Sequence, residues 1–240
     1  MKEVRFFYVP DAPSREEMPE EEAMHALRVL RLKSGDTMMI TDGCGNFFEA
    51  EITLAATRRC LYKIIRTLPQ TKPWHGKIHL VVSPTKMMER MEWMVEKATE
   101  IGFDRISFLN CDNSERRVVK TKRLEKIVVA AMKQSRKAEK PIIDEIESFE
   151  EFISRPCEGE KYIAHCYEEF ERTDFFNDVM SLDKDAELTV LVGPEGDFSV
   201  EEVKKAIEAG YKSISLGDFR LRTETAGLSA VMMANLAKRR

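Results

Sequence analysis

The sequence predicts an α/β protein in two parts: a mainly β N-terminal domain over residues 1–70 and an α/β domain with a parallel sheet over residues 71–240. Three observations predict it. Short apolar runs separated by turn signals fill the chain up to Leu68. The stretch Pro69-Gln70-Thr71-Lys72-Pro73 carries two prolines and forms a stiff linker. Beyond it, predicted strands and helices alternate, a pattern that implies a mostly parallel sheet covered on both faces.

In the N-terminal part, strands are predicted over 5–9, 37–41, 47–54 and 60–67. Met24, Leu27, Val29 and Leu30 recur at near-helical spacing and predict one helix over 20–32, which Gly35-Asp36 then turns into the next strand. Asp42-Gly43-Cys44-Gly45-Asn46 is a hairpin loop. It is no dinucleotide fingerprint, because it lacks a third glycine and leads into a strand. A small closed β-barrel hides the edges of so many short strands.

Past the linker, strands are predicted over 78–83, 105–109, 162–166, 188–192 and 213–216. Helices are predicted over 87–101, 121–137, 149–155, 199–209 and 224–238. In the first helix Met87, Met91, Met94, Val95, Ala98 and Ile101 share one face, the pattern of core packing. In the last, Leu228, Val231, Met232 and Leu236 form a stripe that packs within the chain or against a second copy.

The chain of 240 residues carries a net charge of -4, and its start, Met1-Lys2-Glu3-Val4-Arg5-Phe6-Phe7, has no long apolar region. No later run approaches the roughly 20 apolar residues of a membrane span, so a cytoplasmic protein without a membrane partner is expected. Five cysteines without C-x-x-C spacing argue against a disulfide framework or zinc site, and reduced, mostly buried thiols are expected. No metal-ligand cluster is visible; His75 and His79 are four apart, but a strand begins between them. Charge is unevenly spread: between Arg116 and Lys140 ten basic residues face two acidic ones. Their signs are not interspersed for intrahelical pairing, so a phosphate-contacting surface is expected rather than a solvated helix face.

Two stretches carry the chemistry. Gly193-Pro194-Glu195-Gly196-Asp197-Phe198-Ser199 and Leu216-Gly217-Asp218-Phe219-Arg220-Leu221-Arg222-Thr223-Glu224-Thr225-Ala226-Gly227 each follow a predicted strand and open a helix. Ligands of open α/β sheets bind beyond the carboxyl ends of such strands, so both loops should face one crevice. Gly193 and Gly196 permit close backbone approach, Pro194 stiffens the path, and Ser199 with Glu202 forms a capping box. Arg220, Arg222 and Glu224 are costly at a strand end unless they have partners.

Together these loops resemble the SPOUT superfamily of RNA methyltransferases, in which a C-terminal trefoil knot holds S-adenosylmethionine. With the element His25-Ala26-Leu27-Arg28-Val29-Leu30-Arg31, an H-x-x-x-V-L-R pattern, the chain resembles the bacterial small-subunit ribosomal RNA uridine-N3 methyltransferases over nearly its whole length. The resemblance implies a knotted α/β methyltransferase domain behind a barrel related to PUA domains. It further implies S-adenosylmethionine as cofactor, a homodimer, and methylation of uridine N3 in 16S ribosomal RNA on the assembled 30S particle. Two positions depart from the family: Asp197 stands where another glycine is common, and Phe219 where arginine is.

On that resemblance the cofactor pocket comprises His165, Val192, Gly193, Pro194, Glu195, Gly196, Leu216, Gly217, Leu221, Arg222, Thr223, Glu224 and Ala226. Removing the N3 proton leaves charge on O2 and O4 of the base, and Arg222 supplies the matching cation; alternatively it braces the loops through Glu195 or Glu224. Glu195 is the candidate base, with helix capping or a cofactor bond as its other roles. RNA contacts are expected from Arg5, Arg28 and Arg31 on the barrel, the last two on one helix face, and from Arg116, Arg117, Lys120 and Arg123. Competing classes are methylation of another base or a ribose 2′-OH, and an RNA-binding module without catalysis. A nicotinamide oxidoreductase is disfavoured by the lack of G-x-G-x-x-G between a strand and a helix.

Overall fold

The computed structural model describes residues 5–239; the first four residues, part of the start examined for an apolar leader, lie outside the described residues. The chain forms two compact units, Met1–Lys72 with Val129–Lys140, and Pro73–Val128 with Pro141–Arg240.

In the first unit, strands β1 (Phe6–Tyr8), β2 (Thr37–Thr41), β3 (Asn46–Ala55) and β4 (Cys60–Pro69) hydrogen-bond in that order. The β1–β2 pair is parallel and the others are antiparallel. Residues 16–18 cover the start of β4: Tyr62 N–H donates to Glu16 O, Met18 N–H donates to Cys60 O, and Glu17 bridges Leu61. That protects an edge which would otherwise pair with another chain. Alternate strand residues Met38, Ile40, Phe48, Ala50 and Ile52 bury one face against Phe7, Val9, Ala23 and Ala26. The β2–β3 turn is held by the Asp42 carboxylate, which accepts from Cys44 N–H at 2.7 Å and from both amides of Asn46.

The segment 129–140 joins this unit through the same hairpin: Gly45 N–H donates to Ala138 O and Lys140 N–H to Gly43 O. Lys133 adds an ion pair to Glu22. The predicted helix over 20–32 is shorter and changes pitch. Helix α1 (Glu20–Met24) passes into a π-helical turn over His25–Val29, Leu30 N–H bonds back to His25 O, and Arg31 at φ 55 has left the helix. Arg28 and Arg31 therefore do not share a helix face, because the wider turn and the left-handed residue break the i, i+3 relation.

The second unit contains, in order, β5 (Ile78–Val82), α2 (Met88–Ile101), β6 (Arg105–Asn110), the start of α3 (Thr121–Gln134), β7 (Ile142–Ser148), α4 (Phe149–Ser154) and β8 (Glu160–Ala164). It continues with β9 (Thr173–Asp174), α5 (Phe175–Ser181), β10 (Leu188–Val192), α6 (Val200–Glu208), β11 (Lys212–Ser215) and α7 (Thr223–Ala237). The seven strands form one parallel sheet in the order β7-β6-β5-β10-β8-β11-β9. Successive residues of the central strands alternate between two cores. Leu80, Val82, Val190 and Val192 meet Met91, Met94, Val231 and Ala234, while Val81 and Leu191 meet Phe149, Phe198 and Val203.

Strand β7 and helix α5 were not predicted from the sequence. Met87 is the exposed N-cap of α2 rather than part of its buried stripe. On α7 the buried face is Ala230, Val231, Ala234 and Ala237; of the expected stripe, Val231 is buried and Leu228 packs half-buried against the core, while Met232 and Leu236 are exposed. The thiols are less uniformly buried than expected, since Cys44 and Cys166 are exposed.

Candidate active site

The carboxyl ends of β5, β10, β8 and β11 lie side by side, and the chain switches between halves of the sheet at the β5–β10 boundary, where open α/β sheets hold ligands. The loop after β10 is built for close approach. A Cβ on Gly193 would stand 2.9 Å from Phe198 N, so glycine alone lets the loop turn back on itself. Asp197 N–H closes that turn onto Pro194 O at 2.9 Å.

Asp197 has φ 66, the left-handed region that favours glycine and that a short polar side chain tolerates. Its carboxylate is engaged in return: Oδ1 accepts from Phe198 N–H at 2.8 Å, and Oδ2 from Cys166 N–H at 2.9 Å. The departure from the family pattern thus ties the β10 loop to the β8 loop. Ser199 and Glu202 form the expected capping box of α6, and Glu202 also accepts from Asp112 N–H at 2.9 Å.

The second loop reaches the first through Thr223, whose hydroxyl donates to Gly193 O. Arg222 is the N-cap of α7 without a side-chain capping bond; it is exposed, its carbonyl accepts from Ala226 N–H at 2.7 Å, and its guanidinium makes no hydrogen bond or ion pair with the described residues. The loop carboxylates belong instead to Arg90 of α2, which sequence reasoning missed. Arg90 Nη1 lies 3.6 Å from Glu224 Oε1 and 3.8 Å from Glu195 Oε1. Glu195 Oε2 accepts from Lys86 N–H at 3.0 Å, and the Arg116 guanidinium holds that same residue by donating to Lys86 O and Thr85 O. Two carboxylates on neighbouring loops demand a cation, which is the sequence signal that pointed toward an arginine but could not say which.

His165 follows β8 directly and is 5% exposed. Its Nδ1 accepts from Tyr167 N–H at 3.2 Å, so the ring proton sits on Nε2, and burial lowers its pKa and keeps the ring neutral. That Nε2 has no partner, and neither does the buried Glu224 Oε2. A buried donor just past β8 and a buried acceptor in the first turn of α7, both unpaired, are what a polar ligand would satisfy. Of the remaining predicted pocket residues, Val192, Gly193 and Pro194 are buried, Leu216, Leu221 and Ala226 are half-buried, and Gly196 and Gly217 are exposed.

The predicted RNA-contacting residues divide. Arg5, Arg28 and Arg31 are exposed on the first unit. On the second, Arg116 is the brace just described, Arg123 pairs with Glu92, and Arg117 and Lys120 are exposed. Among the described residues no group of three His, Cys, Asp or Glu side chains could hold a metal ion. No helix among the described residues is long and apolar enough to cross a membrane.

Residues 72–235 match a family model described as an RNA methyltransferase domain, and residues 19–65 match an RNA methyltransferase PUA domain. The chain is 31% identical over 219 residues to the ribosomal RNA small subunit methyltransferase E of Aquifex aeolicus, covering 88% of this chain and 90% of that one. The crystal structure of a probable rRNA-methyltransferase from Porphyromonas gingivalis superposes with a TM-score of 0.88 at 39% identity, covering 98% of both chains. A ribosomal RNA small subunit methyltransferase E from Neisseria gonorrhoeae, solved bound to S-adenosyl methionine, gives 0.80 at 26% identity over 95% of both. With two glycine-built loops clasped over the carboxyl end of a parallel sheet and these likenesses along nearly its full length, the chain belongs to the RNA methyltransferase family, among the ribosomal RNA small subunit methyltransferases E.

Proposed function

We propose that this protein methylates N3 of a specific uridine in 16S ribosomal RNA, on the assembled 30S particle in the cytoplasm, with S-adenosylmethionine as methyl donor. The observation that carries the reading is the clasp of Thr223 on Gly193, with an unpaired His165 Nε2 just past β8 and an unpaired Glu224 Oε2 in the first turn of α7. These groups fit the cofactor: a neutral imidazole N–H and a carboxylate oxygen match a ligand bearing acceptors, hydroxyls and an amino group. When bound, S-adenosylmethionine supplies an electrophilic methyl group on a sulfonium.

The backbone of Val192, Gly193, Pro194 and Gly196, with Leu216, Gly217, Leu221, Thr223 and Ala226, lines the cofactor in this reading. Arg222 caps α7 without spending its guanidinium on the fold, and we assign it to O2 or O4 of the uracil, where charge grows as N3 loses its proton. Glu195 is assigned beside it as the acceptor for that proton. Helix capping is not its task, since Ser199 and Glu202 cap α6. The first unit, through Arg5, Arg28 and Arg31, and the exposed Arg117 and Lys120 of the second engage phosphates; Arg116 and Arg123 contribute to the second unit's basic surface.

The protein acts as a homodimer in this reading. Trp93 of α2, Phe176 of α5, and Met232 and Leu236 of α7 are exposed apolar side chains on helices that pack side by side, and a second copy would cover them. The test offers labelled S-adenosylmethionine with intact small subunits, naked ribosomal RNA or transfer RNA, and identifies the product nucleoside by mass. N3-methyluridine from the subunit alone is expected; a 2′-O-methyl nucleoside or a modified transfer RNA overturns the assignment.

A further inference from the structure

We propose that Phe219 is a stacking platform for a nucleobase of the RNA that this site engages. The inference rests on the RNA-directed function just given and adds a residue that no step of it uses. Phe219 is 86% exposed, more than any other large apolar side chain of the described residues. Its ring packs on no other ring among them.

The fold holds it there. Ser215, the last residue of β11, accepts from Gly217 N–H at 3.2 Å and donates to Gly217 O at 2.8 Å. Gly217 itself has φ 126, and nothing lies within 4 Å of where its Cβ would be, so the chain turns outward into open space. It returns at half-buried Leu221 and buried Thr223. Phe219 therefore occupies the tip of a loop pinned at both ends, and one of those pins is the Thr223 hydroxyl on Gly193.

Charge names the occupant. Arg220 and Arg222 both follow the ring in the same loop, with Asp218 before it; both arginines are exposed, and no carboxylate of the described residues pairs with them. The loop leaves the carboxyl end of β11, which pairs with the end of β8 just before His165. A flat exposed apolar ring followed in its loop by two unpaired guanidinium groups matches a ligand that offers a π-face and phosphates together. Single-stranded RNA does both, and unstacked bases are commonly held on aromatic side chains in this way. A protein partner would have to bring acidic groups around an apolar knob; a second copy of this chain would instead meet the Phe176, Met232 and Leu236 surface.

The experiment measures binding of fluorescein-labelled oligouridylate and of an abasic phosphodiester of equal length by anisotropy, for wild type and for Phe219→Ala, Phe219→Leu and Phe219→Trp. Wild type should prefer the base-bearing strand. Alanine should weaken that strand on the order of 10- to 100-fold, the range of one lost base stack, and leave the abasic strand unchanged. Leucine should resemble alanine, and tryptophan should restore the preference. Calorimetry with S-adenosylmethionine and sedimentation of each variant should match wild type. Equal binding by the leucine variant, an unchanged base preference for alanine, or a shifted oligomeric state would each overturn the platform. Absence of methyl transfer by wild type would defeat the proposed function yet leave this base preference measurable.

Discussion

The Thr223 hydroxyl donates to the Gly193 carbonyl across 3.1 Å, so the first residue of α7 is fastened to the first residue beyond β10. Both residues are buried, and the bond joins two loops separated by 30 positions in sequence. Thr223→Val keeps the shape and leaves the carbonyl unpaired, at a cost of about 1–3 kcal/mol. Stability by urea unfolding should fall by that amount and S-adenosylmethionine affinity with it, while Thr223→Ser should recover most of both. Unaltered affinity in a folded valine variant would show that the clasp does not shape the pocket.

Arg90 is expected to matter as much as any motif residue. Glu224 is nearly buried and has Arg90 as its cation, so Arg90→Met strands a carboxylate in a poor solvent for charge. Cofactor dissociation constants should rise by roughly 10-fold or more. The double variant Arg90→Met/Glu224→Gln should be less impaired in stability than the sum of the single changes, because the second removes the stranded charge. Strict additivity would mean the two groups do not interact.

Arg222 should act on the rate rather than on cofactor binding. Removing one preorganised donor for developing charge typically costs about 100- to 1,000-fold in kcat. Single-turnover methyl transfer at saturating cofactor should therefore collapse in Arg222→Ala, recover in part in Arg222→Lys, and improve for the alanine variant as pH rises and the substrate deprotonates without help. A near-normal alanine rate rules the role out.

The basic run should separate into two behaviours. Arg117→Ala and Lys120→Ala should each weaken RNA binding and flatten its salt dependence, by up to about one unit of slope per lost phosphate contact. Arg116→Ala should act mainly on the cofactor side, because Arg116 holds the backbone of Lys86, which in turn donates to Glu195. Titrations of RNA and S-adenosylmethionine on the same three variants decide it; an Arg116 variant that lost only RNA affinity would contradict the brace.

A pH effect on stability should arise at the opposite end of the sheet, where His79, Arg105, Ser107 and Asp144 line a cavity of about 520 Å³. Burial, reinforced by Arg105 and opposed by Asp144, lowers the His79 pKa to about 4. Asp144 is pushed up by burial, but the Arg105 and Ser107 hydrogen bonds prevail and hold it below the ordinary carboxylate range. Since Asp144 can only accept, Ser107 donates to it and His79 Nε2–H donates to Ser107 at 2.8 Å. Below about pH 6.5 the unfolded chain binds a proton that the native histidine refuses, so stability present at neutral pH is lost as pH falls toward 4, by roughly 3 kcal/mol. Urea unfolding of His79→Asn should show a shallower loss over that window. An identical pH slope would assign it elsewhere.

Fold and site were unequally legible in the sequence, for physical reasons. Strand β10 is Leu-Thr-Val-Leu-Val, buried throughout, and its apolar run alone predicts it. Strand β7 sits at the sheet edge, and its Asp144, Glu145 and Glu147 dilute any such run. Helix α5 has seven residues, fewer than two turns and too short for a periodic stripe. The two loops were visible because glycine, proline and a capping box constrain the backbone locally. Arg90 was not, because on α2 it is one charge among Glu89, Glu92 and Lys97, and only the approach of residues over a hundred positions away gives it its partners. Likewise the π-helical turn that separates Arg28 from Arg31 has no signature in side-chain spacing.

The hairpin held by residues 129–140 has a consequence for synthesis. Backbone bonds from Gly45 to Ala138 and from Lys140 to Gly43 complete the N-terminal unit, yet their donors and acceptors leave the ribosome far apart in time. At roughly 5–20 residues per second, the last of them arrives several seconds after Lys72. The four-stranded sheet must wait through that interval with part of its surface uncovered. Exchange of this unit between relatives therefore requires two pieces of gene, and a cut in the proline linker would leave both products unfinished.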